Sequence, residues 1–328
     1  MIATLIFKMG ETGNIQHLIH AEIDKEKWEA CIHKSSNGRI YGRSVYLDHM
    51  AGNWDGLVLN DYEAVMPLTW RKKWGIHYLY QPAFTQQSGI FSINKTGESL
   101  IKNFLNAIPD KYRFIEINLN AENSLATPSF LHKNYLLDIT YGYDVLKSNY
   151  SRSALRNINK AIDSVITIKE DVNPADIILM HRERFKDMIG AKENDYTKFN
   201  KLVNLLLQQK QVFAAGAFNA DSKLIAGSIY LLYKNRITFI INGNSPESLQ
   251  CGATHLLKDY TIHKFSNQGL IMDFEGSDFD RFARFYEQFG NVYIEYYPSL
   301  FVNRLPWPIK LLKREKLAGD VTKLNDSQ

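Results

Sequence analysis

Two short segments hold residues that could do chemistry. The first passes from a strand into a helix through Gly252, Ala253 and Thr254. Short side chains let the backbone approach a ligand closely. The unpaired N–H groups at a helix start, together with the helix dipole, favour a negative group such as phosphate. The second segment carries Asp273 and Glu275 at the end of a strand and Tyr286 on the helix that follows. Strand alternation puts Asp273 and Glu275 on the face opposite Phe274. There either carboxylate could exchange a proton with a bound group, or serve structurally by capping or by pairing with Arg281 or Arg284. Tyr286 shares its helix face with Phe279, Phe282, Phe285 and Phe289, so packing accounts for it as well as chemistry does. No Ser–His–Asp or Cys–His spacing and no metal-type cluster occurs, so covalent and metal catalysis are not expected.

The elements that must position these residues occupy 236–291. Residues 237–242 predict a strand, 253–265 a helix, 270–274 a second strand and 279–289 an aromatic-rich helix. Before them, strands are expected at 212–218 and 224–233, joined by hairpin turns. Two amphipathic helices precede those strands, and His181 falls on the apolar face of one, as a core histidine would. A single helix is expected over 144–163, with Arg152, Arg156 and Lys160 forming a stripe by steps of four. That stripe is either a solvated basic face or a strip facing phosphate or tRNA. In the first half, Asp24 caps a helix over 25–34. Runs at 40–47, 56–59, 64–68 and 76–80 predict an antiparallel meander, and 81–97 a long loop containing Gln86 and Gln87. A helix over 98–108 and strands at 113–119 and 135–140 complete this half. The layout predicts a duplicated α+β unit, 1–142 and 143–328, each a mostly antiparallel sheet flanked by helices. A strand is expected at 292–301, and a surface helix from Lys310 onward.

The chain has 328 residues, 45% hydrophobic and 23% charged, with a formal charge of +4. This suits a globular protein with two cores and excludes the strongly basic profile of a dedicated nucleic-acid binder. Cys31 and Cys251 lack metal-type spacing and fit reduced thiols. Residues 1–14 are too short and polar for a signal peptide, and no apolar run reaches the ~20 residues of a membrane-spanning helix. A cytoplasmic location is expected.

The run Phe282-Ala283-Arg284-Phe285-Tyr286-Glu287-Gln288-Phe289-Gly290 resembles the closing helix and turn of the GNAT superfamily of acyl-CoA N-acyltransferases. Asp273-Phe274-Glu275-Gly276-Ser277, and Asn149-Tyr150-Ser151 through Arg156-Asn157-Ile158-Asn159-Lys160-Ala161, look like its Fem-like double-GNAT branch. The resemblance implies tandem GNAT-like folds and transfer of an acyl group from acyl-CoA or another carrier to a small-molecule or peptide amine. In the Fem-like alternative the donor is aminoacyl-tRNA and the acceptor a cell-wall precursor. A double-GNAT protein that binds a ligand or partner without catalysis is the third implication. The resemblance further implies that the donor arm pairs with backbone groups of Ile241 and Asn242 while Gly252, Ala253 and Thr254 hold phosphates. It makes Tyr286 the proton donor to the leaving group, and Glu275 or Asp273 the acceptor of the amine proton. Arg152, Arg156, Lys160, Gln86 and Gln87 then become contacts to substrate or tRNA. Leu249 and Thr254 depart from the residues usual around the family's loop glycine, which implies a degenerate coenzyme A cradle.

Overall fold

The computed structural model describes residues 13–185, 190–276 and 278–307. Ser277, residues 1–12 and the helix expected from Lys310 onward lie outside them.

The chain runs through β1 (Ile15–Leu18), α1 (Lys25–Lys34), α2 (Ser44–Met50), β2 (Asn53–Leu59), β3 (Ala64–Lys73), β4 (Ile76–Tyr80), β5 (Phe91–Ser92) and α3 (Glu98–Asn106). It continues with β6 (Tyr112–Asn118), β7 (Phe130–Asp138), α4 (Tyr143–Ser148), α5 (Arg152–Asp163), β8 (Thr167–Lys169), α6 (Pro174–Phe185) and α7 (Glu193–Gln208). Then come β9 (Val212–Phe218), β10 (Leu224–Tyr233), β11 (Arg236–Asn244), α8 (Pro246–Cys251), α9 (Ala253–Phe265), β12 (Ile271–Asp273), α10 (Asp280–Tyr286) and β13 (Tyr293–Asn303).

The strands form one 13-stranded sheet in the order β1-β2-β3-β4-β6-β13-β7-β12-β11-β10-β9-β8, with β5 on β3. The fold is α+β. Helices cover both faces around β10, which explains its continuous buried run. Ala226 and Tyr230 pack with Leu257 of α9, and Ile229 and Leu231 with Ile177 and Phe199 of α6 and α7. Residue 142, the expected boundary between units, lies between β7 and α4, yet strands from either side alternate at the centre of the sheet. β13 pairs antiparallel with both β6 and β7, and β7 also pairs with β12. No helix among the described residues is long and apolar enough to cross a membrane.

Two local expectations are corrected. The run over 40–47 is not a strand: Ile40–Gly42 is a 3-10 turn, followed by α2. Its aromatic and β-branched residues favour strand locally. The start of α2, however, is capped from α1, where Glu29 Oε1 accepts from the Ser44 backbone N–H at 2.6 Å and from its hydroxyl at 2.8 Å. The single helix over 144–163 is two, α4 and α5. Ser151 accepts from Ala154 N–H at 3.1 Å as a new N-cap, while its own N–H donates to the Gln288 carbonyl at 2.9 Å.

Two neighbouring pairs of strands, β4–β6 and β11–β12, run parallel. The second pair separates. Its pairing covers only Arg236↔Ile271 to Thr238↔Asp273, whereas β11 continues to Asn244. A bulge at Ile240, where Tyr230 faces Phe239 but Ile229 faces Ile241, bends β11 away. The first pair stays closed, because the loop after β4 extends it. Ser88 bridges Leu119, Gln81 Oε1 accepts from Asn118 N–H at 3.0 Å, and Asn118 donates to the Gln86 carbonyl at 3.2 Å. One half therefore has a gap between its parallel strands and the other has it filled.

Candidate active site

The gap between β11 and β12 opens a cavity of about 620 Å³, lined among others by Phe239, Asn242, Lys258, Phe274, Glu275 and Tyr286. Phe and Tyr rings line it together with polar and charged side chains, among them Asn242, Lys258 and Glu275.

Glu275 and Asp273 do not share a face. β12 ends at Asp273, and Glu275 takes a left-handed conformation at φ +56, which breaks the strand alternation. Phe274 and Glu275 both line the cavity. Asp273, 3% exposed, turns instead to Arg236 at 2.8 Å and accepts from Glu275 N–H at 2.9 Å. Its ion-pair partner is thus neither Arg281 nor Arg284. Glu275 Oε1 accepts from the Tyr41 hydroxyl at 2.6 Å. Burial pushes the Glu275 carboxyl well above the ordinary range, and the charge of Asp273 adds to the rise against the Tyr41 hydrogen bond. A positive φ at a glutamate costs about 1–3 kcal/mol, strain of the kind found at functional sites.

Tyr286 stacks on Phe274 with ring centroids 4.8 Å apart and an interplanar angle of 16°. The expected packing role is met, and its ring also faces the cavity. Burial, then the charge of Glu275, raises its hydroxyl above the ordinary phenol range. The hydroxyl therefore stays protonated at neutral pH and can donate.

Two groups at the candidate site, Tyr41 and Lys258, escaped the sequence reading, whereas His181 is where a core histidine was expected. Tyr41 was hidden in a run taken for a strand. Lys258 lies on α9 at 1% exposure; a lysine on the same helix face as Leu257, Thr261, Ile262 and Phe265 was a signal that could have found it. His181 is buried as a core histidine, with Nδ1 2.8 Å from the Asn242 carbonyl. That carbonyl can only accept, so Nδ1 carries the proton. The Nε2 atom is buried without a partner among the described residues, and burial lowers the ring to about 4.

The expected phosphate cradle is built differently. Ile241 is core, 1% exposed, beneath α6 and α7. Asn242 lines the cavity, but His181 already engages its carbonyl. Ala253 is fully buried, while Thr254 lines the cavity and donates to Asn244 Oδ1 at 3.2 Å. Gly252 is required by packing. At φ +80, a Cβ there would sit 2.1 Å from the Asn157 carbonyl oxygen of α5. Gly252→Ala combines left-handed strain with a clash against backbone and is expected to cost roughly 2–3 kcal/mol in urea unfolding. A loss under about 1 kcal/mol would contradict this close approach.

Arg152, Arg156 and Lys160 are exposed on α5, and none has an ion pair among the described residues. Gln86 and Gln87 do not line the cavity. Gln86 donates to Asn134 Oδ1 at 3.2 Å, and Gln87 donates to Gln86 Oε1 at 2.8 Å and accepts from Ala121 N–H at 3.2 Å. Both hold the loop that closes the first parallel pair. Phe84 of the same loop packs on Phe199 and Tyr196, at 4.9 and 5.2 Å, locking the two halves together.

No protein-family model matches the sequence, and neither does any curated protein. Solved structures do match the fold. FemX aligns with a TM-score of 0.64 at 10% identity, over 90% of this chain and 99% of its own. L-PGS from Bacillus licheniformis gives 0.51 at 12% identity, over 93% and 98%. A tandem GNAT protein from the clavulanic acid biosynthesis pathway gives 0.50 at 9%, over 89% and 99%. The chain has a Fem-like double-GNAT fold.

Proposed function

We propose that the protein transfers an acyl group from a carrier to an amine, with the donor's acyl arm lying in the gap between β11 and β12. The observation that carries this reading is the separation of that parallel pair, which exposes one strand edge beside the Glu275 carboxyl and the Tyr286 hydroxyl. Residues 143–328 supply the donor site. Residues 1–142 help form the acceptor site and reach it through Tyr41.

In this scheme the neutral amine attacks the donor carbonyl. A C–N bond forms, and the C–O or C–S bond to the carrier breaks. Glu275 as carboxylate takes the amine proton, and its raised proton affinity makes it a stronger base than an ordinary carboxylate. Tyr286 gives its proton to the departing oxygen or sulfur and regains one from Glu275. Net, one proton moves from nitrogen to the leaving group.

A second reading of the donor has its own support. His181 already engages the Asn242 carbonyl, and Asn157 packs over Gly252, which weakens the case for a coenzyme A cradle. The exposed basic stripe lies on α5, the same helix whose Asn157 meets Gly252. An aminoacyl-tRNA donor with a peptide acceptor fits both points. Incubation with a panel of radiolabelled acyl-CoAs and charged tRNAs tests the proposal: amine-dependent loss of label from one donor class is expected. If neither class is turned over with any amine, the transfer reading falls and a ligand-binding role replaces it. Reversing charge at Arg152, Arg156 and Lys160 together is expected to weaken tRNA binding at least tenfold and to lower the salt slope by about 2–3. Unchanged binding and slope would remove the tRNA donor.

A further inference from the structure

Lys258 is a buried amine that no counter-charge meets among the described residues. Its Nζ donates to the Tyr230 hydroxyl at 2.8 Å and sits 3.2 Å from the Phe239 ring centroid, 4.8 Å from Tyr230 and 5.3 Å from Phe274. Among the described residues no carboxylate pairs with it, and burial alone pushes it well below the ordinary lysine range. Yet it lines the cavity. The other ionisable groups there are Arg184, Arg281, His181, His255, Tyr286 and Glu275. Burial lowers both histidines, which keeps them neutral, so among the described residues Glu275 is the sole carboxylate beside Lys258, Arg184 and Arg281. A cavity with this balance is complementary to an anion.

We propose that the cavity binds a ligand bearing a carboxylate, which seats on Lys258 and supplies the counter-charge that the described residues do not. An isolated ammonium in an apolar enclosure is unfavourable, and an arriving carboxylate converts it into a hydrogen-bonded pair. The aromatic walls accommodate an apolar chain behind the carboxylate, and the ring faces of Phe239 and Phe274 stabilise the ammonium once it forms. A phosphate group fits this end less well, because Lys258 presents one amine where phosphate engages several donors. If the acyl-transfer reading holds, the carboxylate belongs to the acyl portion of the donor. That assignment rests on the proposed function; the carboxylate site itself does not.

The matched probes hexanoate and hexanamide, with inorganic phosphate as a third, test the site by NMR titration and calorimetry. Hexanoate is expected to bind at least tenfold more tightly than hexanamide at pH 7. Its binding takes up protons and that of hexanamide does not, read from heats in buffers of different ionisation enthalpy. Because Lys258 must be protonated in the complex, affinity falls about tenfold per pH unit above its ligand-free pKa. Lys258→Met, apolar among rings, removes both the preference and the proton uptake. Equal binding of the two probes, binding of neither, tighter binding of phosphate than of hexanoate, or an unchanged preference in Lys258→Met each overturns the proposal. None of these measurements needs an acyl donor. A failed donor panel with hexanoate bound as expected would overturn the proposed function alone, and the converse would overturn this proposal alone.

Discussion

Glu275→Gln is expected to lower kcat for acyl transfer by roughly 10²–10³-fold while KM changes little. The amide keeps the size of the side chain and can still accept from Tyr41, but it cannot take the amine proton, and general-base steps contribute on that scale. The pH profile carries a sharper signature. In the native protein the rate rises as Glu275 ionises, so the acidic limb lies above the ordinary carboxylate range, because burial and then Asp273 raise it. In Glu275→Gln that limb disappears. Steady-state kinetics across pH with the donor identified by the panel checks both. A Glu275→Gln protein with full kcat, or with the limb intact, would move the base role elsewhere. Tyr286→Phe keeps the stack on Phe274 and removes only the proton donor, so its loss falls in kcat as well.

Arg236→Met is expected to destabilise the fold by about 3–5 kcal/mol, the cost of stranding buried carboxylates when a partner is removed. Arg236 donates to Asp273 at 2.8 Å and takes Glu295 in a fork at 2.8 and 3.3 Å. Asn134 and Arg39 also reach Glu295, at 3.3 and 3.5 Å. Burial disfavours the Arg236 charge, but the two carboxylates outweigh it and raise its pKa. Burial likewise works against ionised Glu295, but Arg236 prevails and holds it below the ordinary range. The sign follows from that lowering. Glu295 contributes stability above its unfolded value of about 4.3, and the contribution is lost as pH falls through its lower folded value. Urea unfolding should therefore show a large gap between native and Arg236→Met proteins at pH 7 that narrows below pH 4. A gap under 1 kcal/mol at pH 7 would mean that water, not Arg236, compensates these carboxylates.

This ion cluster also explains why the gap forms where it does. It ties the ends of β11, β12 and β13 together just where β11 and β12 still pair, and the bulge at Ile240 opens the space beyond. The clamp sits at the apex and the chemistry in the opening.

Much was legible in the sequence because it depends on neighbours in the chain. Asp24 caps α1 through N–H groups two and three residues away, and the strands from β9 to β11 follow from β-rich runs and the turns at 219–222 and 234–235. The double-GNAT layout and the placing of Glu275 and Tyr286 near one strand end rested on contiguous segments, which is why they were readable. What tertiary structure alone decided involves groups distant in sequence. Glu29 caps α2 and turns an apparent strand into a helix, and that turn places Tyr41 on Glu275, 234 residues away. Gly252 looked like a glycine for a ligand, but the Asn157 carbonyl of another helix requires it. Asp273 and Glu275 alternate on paper, yet the strand stops between them and only Glu275 enters the cavity. Lys258 lies on an apolar helix face in the sequence, but sequence could not say that three rings and, among the described residues, no carboxylate would surround it. Local propensity and spacing are properties of a segment, whereas burial, charge pairing and close approach belong to the packed whole; the candidate site consists mainly of the latter.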